Sequence, residues 1–272
     1  MRRLLIRPGA IGDCILSLPA LEHLATEYTE VWTPRAIVPL IRFADAVRAI
    51  PDTGLNLVGI GDLEMPPLLK ASLQGFDSIV SWYGANRPEF RKALVSADIT
   101  CCEFHPALPP DGTVSHAIDF YARQVDAPAG LVPRIDTAVA AARESIVIHP
   151  FSGGRRKNWP LHSYRDLASR LSSEVEWTAG PEEELPEATR FANLTDLAAW
   201  IAGARLYIGN DSGITHLAAS TGVRTLALFG PSSPSAWEPR GENVTVLRAN
   251  SIEALSVETV LAAVNGVASS ER

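Results

Sequence analysis

The sequence predicts an α/β protein built from two doubly wound units, and three observations carry that prediction. Apolar strand-like runs alternate with helix-like segments along the whole chain, the pattern of largely parallel sheets. The alternation pauses at a Pro- and Ala-rich stretch, residues 128–145, and then begins again. At 272 residues the chain is long enough for one large domain or two modest ones, each able to bury its own core.

In the first half, strands are expected at residues 4–7, 30–33, 55–60, 78–82 and 99–103, with helices at 15–28, 36–49 and 116–125. Pro19 would cost about 3 kcal/mol inside a helix, so the first helix should kink or restart there, with Ser17 as a second cap. The second series has strands at 145–149, 175–179, 206–208, 225–229 and 244–247, and a closing helix at 257–267. The expected organisation is an N-terminal domain over 1–130, a linker over 131–144 and a C-terminal domain over 145–272, with the last helix able to pack back on the first domain. Ligands in open α/β sheets sit at the carboxyl ends of strands, so both domains should present their loops to a central cleft.

Composition narrows the function classes. Hydrophobic residues make up 46% and charged residues 20%, which is ordinary for a globular chain, and the net charge of −7 argues against nucleic acid as a partner. The three cysteines, Cys14, Cys101 and Cys102, are too few for a disulfide framework and read as buried free thiols in a reducing compartment. No Cys, His and acid residues cluster at metal-ligand spacing. The apolar run before Arg7 is too short for a signal peptide or a membrane span, so a cytoplasmic protein is expected, at most peripheral to a membrane. Arg35, Arg42 and Arg48 share one predicted helical stretch that could meet an anionic surface, although a plain solvated face is the favoured reading.

Four loops hold residues more specific than a turn requires. In RPGAIGDCIL, residues 7–16, Gly9 and Gly12 allow close backbone approach, and Asp13 at the helix mouth reads either as a cap or as a general base. The loop is not GxGxxG, which speaks against a dinucleotide fingerprint and a Rossmann dehydrogenase. In HPFSGGRRKNWPLHSYRD, residues 149–166, Ser152, Gly153 and Gly154 offer a hydroxyl and open amides, and Arg155, Arg156 and Lys157 offer cations for a diphosphate. Asn158, Trp159 and Pro160 form a stiff anchor behind Lys157, and a helix should open at Ser163 with Asp166 closing a capping box.

In WTAGPEEELPEA, residues 177–188, one of Glu182, Glu183 and Glu184 sits where a carboxylate could hold ribose hydroxyls, or all three form a solvated first turn. In YIGNDSGITHLAAS, residues 207–220, Gly209 and Asn210 turn the chain and Asp211 caps a helix starting at Ser212 or Gly213. The amides of such a first turn favour phosphate, and His216 lies one turn on from Ser212 on the same face.

GAIGD, SGGRRKNWP, AGPEE and NDSGITHLA followed by LFGPSSP, in that order, resemble glycosyltransferase family 9, the ADP-heptose:lipopolysaccharide heptosyltransferases. The resemblance implies a GT-B fold of two Rossmann-like domains and inverting transfer with no obligatory metal or cofactor. It implies an acceptor bound mainly by the N-terminal domain and a nucleotide sugar, an ADP-sugar above all, bound by the C-terminal one. By position, Asp13 matches the family's base, Ser152 and Lys157 the donor phosphate contacts, and Glu183 the ribose-binding acid. Asp211, Ser212, Gly213 and His216 match the donor motif at the helix mouth, Gly153 lies in the donor loop, and Gly9 and Gly12 lie in the acceptor-side loop. The implied partners are a nucleotide-sugar donor and a glycan or glycolipid acceptor, with peripheral contact at the inner membrane. Two rivals share the architecture: a sugar-nucleotide epimerase or phosphorylase, and a non-catalytic binding protein that kept only the donor site.

Overall fold

The computed structural model describes residues 1–61, 63–110, 112–138 and 141–269. Among these, ten strands form two five-stranded sheets, parallel at every pairing. The chain divides into two compact units, Met1–Gly112 with Ile118–Leu131, and Thr113–Ala117 with Val132–Arg272. No helix among the described residues is long and apolar enough to cross a membrane.

The first unit holds β1 (Arg2–Ile6), β2 (Tyr28–Thr33), β3 (Ala46–Ala49), β4 (Ser78–Ser81) and β5 (Cys102–Phe104), in the order β3-β2-β1-β4-β5. Its helices are α1 (Ile11–His23), α2 (Ile50–Thr53), α3 (Pro67–Gln74), α4 (Pro88–Ser96) and α5 (Ala117–Gln124). Central strands of parallel sheets are covered on both faces, which is why the Leu4, Leu5 and Ile6 run is unbroken and wholly buried. The strand order reverses between β1 and β4, and α1 leaves the carboxyl end of β1 at that switch point.

Five expectations fail in this unit, each for a physical reason. Residues 36–49 are not a helix: Pro39 interrupts the stretch, which forms a 3₁₀ turn at Val38–Leu40 followed by the edge strand β3. Arg35, Arg42 and Arg48 therefore share no helical face; Arg35 pairs with Asp52, and the Arg48 guanidinium lies 5.6 Å from the centre of the Trp32 ring. Residues 55–60 are not a strand, because Gly54 and Gly59 take φ of +78° and +72°, which no strand accommodates. A Cβ on Gly59 would also lie 2.7 Å from the Phe90 amide nitrogen, so this glycine lets α4 close over the core. Finally, α1 runs through Pro19 without a restart, since Cys14 to Leu21 are all buried and packing outweighs the lost hydrogen bond. Ser17 is not a second cap; its hydroxyl donates to the Cys14 carbonyl at 2.8 Å and accepts from Arg7 Nε at 2.8 Å.

The second unit holds β6 (Ile146–His149), β7 (Val175–Trp177), β8 (Leu206–Asn210), β9 (Thr225–Phe229) and β10 (Val244–Arg248), in the order β10-β9-β8-β6-β7. Its helices are α6 (Leu161–Arg170), α7 (Leu194–Ala202), α8 (Gly213–Ser220), α9 (Pro234–Trp237) and α10 (Val257–Ser269). The switch point here falls between β6 and β8. α10 lies against α6 and sends Val260 and Val264 into the core with Ile146, Leu206 and Leu226. α6 begins directly after Pro160 rather than at Ser163, and Asp166 pairs at 2.6 Å with Arg170 one turn later instead of closing a capping box.

The stretch 128–145 has no regular structure where it is described, and Val139 and Ala140 of the expected linker lie outside the described residues. It is tied to the second unit by the Ile135 amide on the Ser220 carbonyl at 2.9 Å and the Arg143 amide on the Gly203 carbonyl at 2.7 Å. The cysteines are free thiols, but only Cys14 is buried, and burial pushes it up to about 11; Cys101, expected inside, is exposed ahead of the short edge strand β5.

Candidate active site

Asp13 stands in the first turn of α1, at the carboxyl end of β1. Its Oδ2 accepts from the Ala10 amide at 3.1 Å, so the side chain does cap the helix. Gly9 makes room for this: at φ of +128° it turns the chain, and a Cβ there would stand 3.1 Å from Asp13 Cβ and 3.3 Å from Oδ2. Gly12 lies in the same first turn. Behind it, the wholly buried Arg7 donates to the Asp13 carbonyl at 3.0 Å, to Ser17 and to the Ala107 carbonyl at 3.1 Å, and its guanidinium rests 4.6 Å from the Tyr121 ring centre. Four contacts on one arginine fix the base of the loop that presents Asp13.

In the second unit, the loops after β6 and β8 flank the switch point, with His149 in register with Gly209. Gly209 and Asn210, expected from sequence to turn the chain, instead complete β8 and are buried. Gly209 is required because a Cβ would stand 2.5 Å from the Tyr207 hydroxyl oxygen and 2.8 Å from Thr215 Oγ1. The helix cap is Ser212, not Asp211: the Ser212 hydroxyl accepts from the Thr215 amide at 3.3 Å, and α8 opens at Gly213. The amides of Gly213 and Ile214, ahead of that bond, have no hydrogen-bond partner among the described residues, which leaves a positive helix terminus open to an anion.

Asp211 is freed from capping and instead meets Lys157. The Lys157 Nζ lies 2.6 Å from Asp211 Oδ2, with the carboxylate side chain 6% exposed and the lysine 42%. Trp159 anchors this loop as the sequence led one to expect: it is buried, its indole Nε1 donates to the Leu255 carbonyl at 2.8 Å, and its ring meets Tyr164 edge-on at 4.8 Å. The residue that ties the loop to β8 was not legible from sequence. Asn210 Oδ1 accepts from the Trp159 amide and the Tyr164 hydroxyl, both at 2.9 Å, and its Nδ2 donates to the Pro150 carbonyl at 2.8 Å.

Ser152 organises its own loop: its hydroxyl lies 2.9 Å from the Gly154 carbonyl and 2.7 Å from Asn158 Oδ1, while the Gly154 amide donates to it at 3.3 Å. Nothing stands within 4 Å of where a Cβ on Gly153 would be, and the residue is exposed. His216 is buried in the first turn of α8, and its pKa falls to about 4. Burial is the main cause, opposed by Asp211 and reinforced by His116 and Lys157, so the imidazole is neutral at physiological pH.

Of the three glutamates after β7, Glu183 is the one the fold turns inward. Its Oε2 accepts from the Gly180 amide at 2.6 Å and faces His149 Nε2 at 3.1 Å, and Arg190 donates to its backbone carbonyl at 2.6 Å. Partial burial works against its charge, but the hydrogen bonds from His149 and Gly180 and the charge of Arg190 outweigh it, holding the carboxyl below its usual range. Lys157, Asp211, Ser212, Gly213 and His216 thus gather at one helix mouth, while Glu183 stands with His149 at the end of β6. Asp13 belongs to the other unit. Among the described residues no group of three or more His, Cys, Asp or Glu is placed to hold a metal ion.

Two doubly wound parallel units, each with loops at the carboxyl end of its switch-point strand, are the components of a fold of the GT-B class. The E. coli ADP-heptose lipopolysaccharide heptosyltransferase II matches with a TM-score of 0.75 at 18% identity, over 100% of this chain and 99% of that one. The E. coli heptosyltransferase WaaC with ADP matches with a TM-score of 0.67 at 16% identity, over 98% and 100%. The family model for glycosyltransferase family 9 (heptosyltransferase) matches residues 112–261, and the chain belongs to that family. By sequence it is 36% identical over 95 residues to lipopolysaccharide heptosyltransferase 1 of Pseudomonas aeruginosa, covering 29% of this chain and 26% of that protein. The matched segments span about a quarter to a third of the length of the curated relatives.

Proposed function

We propose that the protein is an inverting, metal-independent glycosyltransferase that moves a heptose from ADP-heptose to a lipopolysaccharide core or related glycan acceptor. The observation that carries this reading is the Lys157–Asp211 pair beside the open amides of α8. A cation, a helix N-terminus and a buried carboxylate at one helix mouth suit a ligand with a diphosphate at one end and sugar hydroxyls at the other. The WaaC structures with ADP and with ADP-2-deoxy-2-fluoro heptose support ADP-heptose as the donor.

In this reading the acceptor hydroxyl attacks the anomeric carbon from the face opposite the diphosphate. The new C–O bond forms as the bond to the β-phosphate oxygen breaks, and Asp13 takes the hydroxyl proton. Lys157 and the amides of Gly213 and Ile214 stabilise the charge that builds on the leaving ADP, the work a metal does in other transferases. Asp211 accepts from sugar hydroxyls, and Glu183 holds the ribose through Oε1, since its side-chain bonds among the described residues fall on Oε2. The acceptor side rests with the first unit and Gly9, Gly12 and Asp13, at the cytoplasmic face of the inner membrane.

Calorimetric titration with ADP, UDP, GDP and dTDP tests the donor half, with ADP expected to bind tightest and to do so unchanged in EDTA. Failure of all four to bind would refute the reading; binding that vanishes with EDTA would refute the metal-independent part of it.

A further inference from the structure

His149 lies outside every motif that marks the donor site by resemblance, yet it is built into that site with some care. It closes β6 at the switch point, is buried, and meets Phe151 edge-on at 6.2 Å between ring centres. Its Nε2 faces Glu183 Oε2 at 3.1 Å, and its Nδ1 is buried with no hydrogen-bond partner among the described residues. A carboxylate oxygen accepts, so the proton belongs on Nε2, and the bare Nδ1 is consistent with that tautomer.

The geometry leaves the imidazole one task within the protein, which is to hold Glu183. The glutamate sits on an irregular loop after a three-residue strand, where a free carboxylate would sample many rotamers. Two donors on one oxygen, the Gly180 amide at 2.6 Å and His149, remove that freedom and leave Oε1 as the available face. Gly180 is part of the fit, since a Cβ there would stand 3.3 Å from Oε2. Arg190 pins the same turn by donating to the carbonyls of Gly180 and Glu183.

We propose that His149 is a positioning residue for ribose recognition: it orients Glu183 so that Oε1 accepts from the vicinal hydroxyls of the nucleoside diphosphate. The proposal rests on the donor reading above and adds to it the residue on which ribose selectivity depends. A structural role alone would weaken every nucleotide equally, whereas a positioning role weakens only those that carry the diol.

The test compares affinities for ADP and 2′,3′-dideoxy-ADP by calorimetry in the wild type, Glu183→Gln, His149→Phe and His149→Gln. The wild type should prefer ADP by about 10- to 100-fold, the range of one or two hydrogen bonds to a charged group. His149→Phe should cut that ratio about tenfold, with the dideoxy affinity unchanged. His149→Gln, whose amide nitrogen reaches nearly to the Nε2 position, should restore most of it. Should the Phe variant fail to fold, His149→Asn, too short to reach Glu183, carries the same expectation. A wild-type ratio near one overturns ribose recognition by Glu183 and this proposal with it. A full ratio retained in His149→Phe overturns the role of His149 alone. No ADP binding in the wild type overturns the donor reading as well.

Discussion

Replacing Lys157 with methionine should lower both stability and nucleotide affinity, and a second substitution should separate the two effects. The Lys157 ammonium lies 2.6 Å from Asp211 Oδ2, and the carboxylate is nearly shut off from solvent. Breaking a fully buried pair costs about 3–5 kcal/mol, and an exposed pair contributes about 0–1. With the lysine 42% exposed, screening brings the expected loss to about 1–2 kcal/mol. Methionine keeps the length of the stem, so the change reads the charge rather than the packing. The lost charge-assisted contact with the diphosphate should weaken ADP binding by about 10- to 100-fold. In Lys157→Met with Asp211→Asn the lone buried carboxylate is gone, so urea melts should recover most of the stability while calorimetry shows affinity still lost. Lys157→Met binding ADP within twofold of wild type would refute the phosphate role, and recovery of affinity in the double variant would show that the pair serves only the fold.

Three further outcomes follow from the same geometry. Asp13→Asn, which keeps an acceptor for the Ala10 amide, should reduce turnover on the order of 10²-fold or more with ADP affinity unchanged; turnover near wild type would remove Asp13 as the base. Asn210→Ala strips partners from the Trp159 amide, the Tyr164 hydroxyl and the Pro150 carbonyl, and should cost on the order of 3 kcal/mol in a denaturant melt; a loss below about 1 kcal/mol would contradict its role as the clasp. His216 is neutral in the fold, with a pKa of about 4 against 6.5 when unfolded, so its stabilising contribution is full above pH 6.5 and is lost as pH falls toward 4. The wild type should therefore lose on the order of 2–3 kcal/mol more than His216→Asn across that window, and parallel stability profiles would exclude the burial effect.

Much of this molecule was legible before the structure. Strands buried on both faces announce themselves as unbroken apolar runs, which is why β1, β6 and β9 fall near where they were expected. The edge strand β3, AVRA, is half-exposed and lacks that signal, so it merged with its surroundings into a false helix. The loop residues near the helix mouths stood out in sequence because Lys, Asp, Ser and Gly fall beside predicted helix starts, and the fold gathers Lys157, Asp211, Ser212 and Gly213 at one of them. Their partners did not stand out. Asn210 reaches Trp159 and Tyr164 across 51 and 46 residues, and His149 reaches Glu183 across 34, distances over which sequence carries no local periodicity. Asp211 was misread as a cap because Ser212 beside it is an equally good one, and only the folded chain shows that a lysine 54 positions earlier claims the carboxylate.

The most direct test of sugar transfer is a mass-spectrometric and NMR assay of ADP-heptose with a deacylated lipopolysaccharide core, following both products together. The account predicts ADP and a core extended by one heptose in equal amounts, with the anomeric configuration opposite to that of the donor and the rate unchanged by EDTA. Free heptose without core extension, epimerised donor, or a product that keeps the donor's anomeric configuration would contradict it.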